Sequence, residues 1–347
     1  MESKATFQRV RLAVTMGDPA GVGPEVIVKA LQHPWVQTAC RPVIIGDVTA
    51  LRRAMDLLGI ALPLKIVHEL HELPTQSPEG VCVLCRTPLS LEDIAYGRPS
   101  AAACRETVQF IRTAVGMTVN KLADAVVTGP IHKDALHRHG FPFPGHTEFL
   151  QDLTGASHVV MMLAGPKLRV ALATIHCALR DVPERITYES LLDTLETLAT
   201  SLRRDFGLAR PKVAVSGLNP HAGEAGRFGR EELDVIAPAV NRFRDTHPWC
   251  DVSGPHPPDT VFFRAFEGHF DAVLALYHDQ GLIPLKLVHF YEAANVTLGL
   301  PIVRTSVDHG TGYDIAGKGL AHCGSLLFAM QTAVTMVRHR NAERILA

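Results

Sequence analysis

The chain is 347 residues long and 47% of it is hydrophobic, which is ample for a large buried core and for two domains or one large one. Its 34 basic and 35 acidic residues give a net charge of −1. This balance gives no indication of nucleic-acid binding, and no long run of like charge indicates an interaction tail. The composition therefore favours small-molecule ligands.

The chain's cysteines and apolar runs indicate its compartment. Seven cysteines, an odd number, are scattered along the sequence, and free thiols are typical of a reducing environment. The first eleven residues are polar, without the apolar stretch of a signal peptide. No run of about 18 apolar residues could cross a membrane. We therefore expect a cytoplasmic protein that does not bind a membrane.

Short apolar, β-branched runs alternate with segments of helical periodicity, the pattern of βαβ units and a mostly parallel sheet. The predicted strands are 12–15, 43–45, 64–67, 81–85, 125–127, 159–163, 170–174, 213–216 and 273–276. The predicted helices are 24–32, 49–58, 100–119, 189–206, 231–246 and 325–339. The fold class is therefore α/β, although no linker marks a domain boundary.

A Gly-rich turn, 16–25, follows the first predicted strand. It is not a dinucleotide fingerprint, because Val26 stands where the third glycine would be. It is not a Walker A loop either, because no Gly-Lys-Ser/Thr follows. Spacing alone leaves a tight structural turn and a ligand-binding loop equally open.

Two later segments place amides, a hydroxyl and a cation near helix N-termini, where free N–H groups and the helix dipole stabilise anions. They are 128–133 and 144–148, and the second contains His146 and Thr147. Ordinary helix capping is the alternative for each of them. Near the C-terminus Lys286, Asn295 and Arg304 could clamp a phosphate or carboxylate, although each alone could be a solvated surface group.

Three histidines each follow a strand-like apolar run: His176, His221 and His278. Open α/β sheets bind ligands beyond the carboxyl ends of their strands. Three imidazoles at such an edge could hold one divalent metal and leave a position for substrate. For each histidine, a hydrogen-bonded loop residue is the alternative, because the chain has 18 histidines.

The segment 308–319 is polar and dense in glycine, which indicates close approach of its backbone to a ligand. With this segment, the chain resembles the 4-hydroxythreonine-4-phosphate dehydrogenase family along nearly its whole length. The matching segments are 16–25 (MGDPAGVGPE), 128–133 (TGPIHK), 145–148 (GHTE), 219–224 (NPHAGE) with Gly226 and Gly229, 277–281 (YHDQG), 297–301 (TLGLP) and 304–311 (RTSVDHGT).

The resemblance implies a two-domain fold of the isocitrate/isopropylmalate dehydrogenase type, with the active-site cleft between the domains, in a homodimer that shares its active sites. The first α/β domain, on the NAD side, is expected at 1–125 and 290–347. The second, which carries the metal and the dimer contact, is expected at 126–289.

The resemblance also implies the roles of particular residues. One divalent metal (zinc, or magnesium, manganese or cobalt) is bound by His176, His221 and His278, with one of the three supplied by the partner subunit. The anionic substrate is held by His146, Thr147, Lys286, Asn295 and Arg304. The cofactor, NAD or NADP, is expected at His309, Gly310, Thr311, Asp314 and Gly317, since 314–319 resembles the nucleotide-contacting loop of isopropylmalate dehydrogenase.

The implied reaction is oxidative. The metal lowers the pKa of a substrate hydroxyl, a hydride passes to the nicotinamide, and the resulting β-keto acid loses carbon dioxide. Asp259, Asp279 and Lys286 are the candidate catalytic groups, and the acceptor of the hydroxyl proton stays open between the two acids, Asp259 and Asp279.

The substrate is open among the branches of this family. The expected activity is 4-phosphohydroxy-L-threonine dehydrogenase, in pyridoxine biosynthesis. The alternatives are an erythronate or threonate 4-phosphate dehydrogenase and a decarboxylating terephthalate 1,2-cis-dihydrodiol dehydrogenase of aromatic catabolism. The chain departs from the family pattern at Ala294, at Gly312 and Tyr313, and in 289–293, where two aromatic residues could line an aromatic pocket.

Two other classes of enzyme remain open. A metallohydrolase could use the same histidines without NAD, and a phosphate acyltransferase of related fold would need no metal histidines.

Overall fold

The structure, a computed structural model, describes residues 9–75 and 80–346, with the backbone alone at 344–346. In this part of the chain the strands are β1 (Val10–Thr15), β2 (Cys40–Ile45), β3 (Leu64–Val67), β4 (Val81–Leu84), β5 (Ala125–Thr128), β6 (Val160–Ala164), β7 (Arg169–Leu172), β8 (Lys212–Ser216), β9 (Asp251–His256), β10 (Ala272–Ala275), β11 (Ala294–Leu298) and β12 (Val303–Val307).

The α-helices are α1 (Gly23–Leu31), α2 (Pro34–Ala39), α3 (Val48–Leu58), α4 (Ala101–Val119), α5 (Lys133–Arg138), α6 (His146–Thr154), α7 (Val182–Arg185), α8 (Tyr188–Phe206), α9 (Ala237–Thr246), α10 (Pro258–Phe266), α11 (His278–His289) and α12 (Gly324–Leu346). Helix α3 illustrates how such an element begins and ends. Asp47 accepts a hydrogen bond from Ala50 N at the start of α3, and Gly59 closes that helix at φ 64°.

The chain divides into two compact units. Unit 1 comprises Met1–Thr154 and Ile302–Val337, and unit 2 comprises Gly155–Pro301 and Arg338–Ala347. In unit 1 the strands lie in the order β3-β4-β2-β1-β5-β12, and every adjacent pair is parallel. Apart from the edge strand β3, these strands are mostly buried, which fits their near-continuous apolar sequences.

In unit 2 the strand order is β11-β6-β7-β10-β8-β9. Strand β6 is antiparallel to both β11 and β7, whereas β7, β10, β8 and β9 run parallel. Apolar side chains of β6, β7, β10, α10 and α11 form one buried cluster in this unit. His176, which follows β7, and His278, which begins α11, are therefore attached to elements that pack in this cluster.

The observed α/β fold agrees with the predicted class, and each predicted strand overlaps an observed one. The unit boundaries lie elsewhere than predicted. Residues 126–154 fall in unit 1 because β5 pairs with β1 and β12 there, so the chain leaves this unit only after α6. Residues 290–301 fall in unit 2, where β11 pairs with β6. Within the described residues, no helix is long and apolar enough to cross a membrane.

Candidate active site

The Gly-rich turn after β1 packs against the glycine-rich loop after β12, both in unit 1. Val22 N donates to Thr311 O at 2.9 Å, and Gly317 N donates to Glu25 Oε1 at 2.7 Å. The Glu25 side chain is buried in the first turn of α1. The turn thus acts as structural support for the loop on which the cofactor residues were predicted.

Tyr313, one of the departures from the family pattern, joins three predicted segments. Its hydroxyl donates to Oδ2 of Asp18, a carboxylate that is only 2% exposed. Its ring stacks on His132, with centroids 5.1 Å apart and planes 5° from parallel. Burial, with the nearby charge of Asp18, raises the pKa of Tyr313, so this hydroxyl stays a donor.

All five predicted cofactor residues lie on the loop after β12. His309 hydrogen bonds through Nδ1 to Gly310 O at 2.9 Å, while its buried Nε2 has no hydrogen-bond partner among the described residues. A Cβ atom at Gly310 would meet nothing within 4 Å. Asp314 is exposed. An unsatisfied ring nitrogen beside open space fits a loop that receives a polar ligand such as a nicotinamide nucleotide.

A cluster of basic side chains in unit 1 brings together Arg304 near the start of β12, His146 at the start of α6 and Lys133 at the start of α5. Arg304 is 1% exposed, and its Nη2 donates to Thr128 Oγ1 at 2.7 Å. Burial lowers the pKa of Arg304 to about 9. Burial, followed by the charges of Arg304 and Lys133, lowers the pKa of His146 well below its ordinary 6.5. The positive charges of Arg304 and Lys133 disfavour a proton on His146, and an anion bound among these side chains would stabilise the two cations.

The predicted substrate residues are divided between the units. His146 and Thr147 begin α6, and with Arg304 they belong to unit 1. Lys286, in the last turn of α11, and Asn295, in β11, belong to unit 2. The buried Oδ1 of Asn295 has no hydrogen-bond partner in the described chain. The structure thus brings Arg304 and His146 together.

In unit 2, His176 and His278 line one pocket of about 460 Å³. Their ring centroids are 5.7 Å apart. Nδ1 of His278 hydrogen bonds to Asp279 Oδ1 at 2.7 Å, which directs Nε2 away from that carboxylate. A carboxylate on the second ring nitrogen is the usual support of a metal-binding histidine. The donor set therefore fits a divalent metal that favours imidazole.

His221 lies in the turn that follows β8, at φ 54°. Within the described ranges, no group of three or more His, Cys, Asp or Glu side chains is arranged to hold a metal ion. One chain thus supplies a pair of close histidines, His176 and His278, and a third on another turn.

The three candidate catalytic groups differ in surroundings. Asp259 is exposed in the first turn of α10. Asp279 is engaged with His278, which makes it a support for that ring. Lys286 is partly buried on α11.

Sequence reasoning missed three buried acids that organise the site: Asp18, Glu25 and Glu232. The first two are visible as charges inside an otherwise apolar, glycine-rich motif, a placement that already indicates a buried partner. Glu232 carries no such signal, because it follows another glutamate at the start of a predicted helix.

Comparison with known proteins identifies the family of this chain. The sequence model of the family described as pyridoxal phosphate biosynthetic protein PdxA matches residues 38–333. A 4-hydroxythreonine-4-phosphate dehydrogenase of Desulforapulum autotrophicum is 44% identical, over 98% of this chain and 99% of that protein. A D-threonate 4-phosphate dehydrogenase of Cupriavidus necator is also 44% identical, over 95% and 98%.

Solved structures give the same result. The 4-hydroxythreonine-4-phosphate dehydrogenase of Klebsiella pneumoniae aligns with a TM-score of 0.83 at 38% identity, over 95% of this chain and all of that one. A terephthalate 1,2-cis-dihydrodiol dehydrogenase of Burkholderia xenovorans aligns less closely, at 0.63 and 30%, over 94% and 98%. The chain belongs to the pyridoxal phosphate biosynthetic protein PdxA family.

Proposed function

We propose that this protein is a dehydrogenase that oxidises the hydroxyl of 4-phosphohydroxy-L-threonine with NAD or NADP and a divalent metal, followed by decarboxylation. The single observation that supports an anionic substrate is the basic cluster around the buried Arg304, whose guanidinium donates to Thr128 and lies near His146. The family, together with the names of relatives 44% identical to the chain, supports the reaction class.

Arg304 and His146 would bind the phosphate of the substrate, and Thr147, Lys286 and Asn295 would complete its contacts. A guanidinium held by Thr128 is fixed in orientation before the substrate arrives, so little side-chain entropy is lost on binding. The neutral imidazole of His146 can donate one hydrogen bond to a phosphate oxygen.

His176, His221 and His278 would hold the metal, with zinc favoured by the imidazole ligands. When bound, the metal would stabilise negative charge on the substrate oxygens, and the nicotinamide would accept the hydride. Asp279 would keep His278 in the tautomer whose Nε2 faces the metal. Asp259 remains the acidic candidate for the group that takes the hydroxyl proton, and Lys286 is the other candidate catalytic group.

The cofactor would bind along the loop after β12, at His309, Gly310, Thr311, Asp314 and Gly317. Two features support this assignment: the buried, unsatisfied Nε2 of His309 and the open space at Gly310. Glu25 and Asp18 would hold the loop from behind, through Gly317 N and the Tyr313 hydroxyl.

We also propose that the protein is a cytoplasmic homodimer of the isocitrate/isopropylmalate dehydrogenase fold type, whose partner supplies one metal histidine. Support comes from the large apolar side chains exposed on α11 and just after it. Ile283 is 66% exposed, Leu287 84% and Phe290 66%. Apolar groups so exposed favour a protein contact. The helix that carries them begins at His278.

A second candidate substrate is D-threonate 4-phosphate. The relative of that name is as similar to the chain, at 44%, as one named for 4-hydroxythreonine 4-phosphate. Both substrates carry a 4-phosphate, so the basic cluster around Arg304 suits either substrate.

The test is NADH formation by the purified, metal-loaded protein. Three substrates are offered separately: 4-phosphohydroxy-L-threonine, D-threonate 4-phosphate and the terephthalate cis-dihydrodiol, each with and without a chelator. We expect chelator-sensitive NADH, with the highest kcat/KM for 4-phosphohydroxy-L-threonine. A preference for the dihydrodiol would move the protein to the aromatic branch. Turnover without NAD would indicate a hydrolase, and acyl transfer that survives His176→Ala would indicate an acyltransferase.

A further inference from the structure

The turn that carries His221 has an unusual backbone. Six consecutive residues, 221–226, have positive φ, from 43° at Glu224 to 93° at Gly226. Four of the six are not glycine. Side chains of L-residues are disfavoured in this left-handed region, and runs of them are rare. Contacts elsewhere in unit 2 must therefore hold this segment, here called the left-handed turn.

The Glu232 carboxylate provides such contacts. It is only 2% exposed. Oε1 accepts hydrogen bonds from Leu218 N at 2.8 Å and Asn219 N at 2.7 Å, and Oε2 accepts one from Asn219 Nδ2 at 3.0 Å. These bonds fix the backbone just before Pro220 and His221.

The left-handed turn also packs directly on this carboxylate. A Cβ atom at Gly223 would lie 2.8 Å from Glu232 Oε2. A Cβ atom at Gly217 would lie 3.3 Å from Oε1 and 2.9 Å from Ala222 Cα. Only glycine fits at these points, so the turn closes tightly around the acid. Glu232 also begins a π-helical segment, Glu232–Ile236, a local feature that is frequent at functional sites.

We propose that Glu232 is a positioning residue for the metal centre: it holds the left-handed turn in the conformation that presents the His221 imidazole to the metal. This inference rests on the proposed function, which assigns His221 as a ligand. Glu232 acts on the backbone that carries the ligand, and it touches neither metal nor substrate.

The test is calorimetric titration of the full-length, metal-free protein with Co²⁺, alongside the Co²⁺ absorption spectrum. Glu232→Gln keeps one acceptor oxygen but turns an NH₂ group toward the donor Asn219 Nδ2. We expect its Co²⁺ affinity to fall about tenfold or more, as for other supports of metal ligands. The matched control is Glu231→Gln. The hydrogen bond described for the Glu231 side chain is the one it accepts from Asn219 Nδ2 at 2.8 Å, so this acid is bonded to the Asn219 side chain rather than to the backbone. The control should bind Co²⁺ as the wild type does.

A rescue separates positioning from general stability. Ala222→Gly removes a side chain from a residue at φ 54°, which makes the left-handed turn easier to form without Glu232. Added to Glu232→Gln, it should restore most of the lost affinity and the wild-type Co²⁺ spectrum. Weak binding that Ala222→Gly does not restore would overturn the inference in favour of a general structural role.

The outcomes also separate this inference from the proposed metal site. Wild-type affinity in His221→Ala would overturn the assignment of His221 itself. Loss of Co²⁺ binding in His221→Ala, with wild-type binding in Glu232→Gln, would overturn only the role of Glu232. If Glu232→Gln does not fold, Asn219→Ala is the substitute. Of the three hydrogen bonds to Glu232 it removes the side-chain bond to Oε2, and it must weaken Co²⁺ binding relative to Glu231→Gln.

Discussion

At the scale of single residues, the basic cluster around Arg304 holds a guanidinium out of contact with water. A buried cation loses hydration, and only a paired anion restores comparable stabilisation. The lowered pKa values of Arg304 and His146 have this common origin. A substrate phosphate would therefore bind to a site that already carries the desolvation cost, which favours tight recognition.

His146 should make stability depend on pH. Its pKa in the folded protein is below the ordinary 6.5, so the unfolded chain takes up the proton more readily. Stability should therefore fall as the pH drops below 6.5, by at most about 1.4 kcal/mol per pH unit from this residue. Urea unfolding of wild type and His146→Gln between pH 7 and 5.5 should show a shallower loss in the variant. Equal slopes would contradict a His146 that stays neutral in the folded protein.

At the scale of elements, apolar composition predicted nine of the twelve strands in the described chain, whereas β9, β11, β12 and the site-bearing helix α11 were missed. Gly281 and Pro284 interrupt its sequence and weaken its helical signal. Its packing supplies the stability that its propensity lacks, since Gly281 lies against β7 and β10, where a Cβ atom would come within 2.5 Å of Val170. The histidines after strands could be read from sequence, but the left-handed turn could not, because its conformation depends on contacts with Glu232.

The glycine loop after β12 should depend on Tyr313. In Tyr313→Phe the buried Asp18 loses a donor, which should lower the free energy of unfolding by about 1–3 kcal/mol. The looser loop should also raise the KM for NAD. Urea unfolding and initial rates measure the two effects, and Tyr188→Phe, a change in unit 2, is the control. A Tyr313→Phe variant that is destabilised but has an unchanged KM for NAD would show that Tyr313 supports the fold and not cofactor binding.

At the scale of the whole molecule, the sequence motifs identified the family but not the geometry of the site. The five predicted substrate residues come from both units, and their order along the chain gives no distances between them. Thr128 illustrates the gap: its motif was noticed for its amides, yet its hydroxyl orients Arg304, 176 residues later. Such partners follow from strand order, here β5 beside β12, which the sequence does not specify.

The proposed dimer gives a prediction at the same scale. Leu287→Glu places a charge on a side chain that is 84% exposed and should convert the protein to monomers, as measured by light scattering. Because one metal histidine is assigned to the partner, Co²⁺ affinity should fall with it. Leu91→Glu, at a position 64% exposed in unit 1, is the control and should stay dimeric. A Leu287→Glu dimer would exclude this face of α11 from the interface.

The central claim is that the basic cluster around Arg304 binds the phosphate of the substrate that the enzyme oxidises. The most direct measurement compares kcat/KM for 4-phosphohydroxy-L-threonine and its unphosphorylated form, in wild type and in Arg304→Met, by NADH formation. We predict that the wild type prefers the phosphorylated substrate by at least about a hundredfold, or about 2.7 kcal/mol, and that Arg304→Met loses most of this preference. Equal use of both substrates by the wild type, or an undiminished preference in Arg304→Met, would contradict the account.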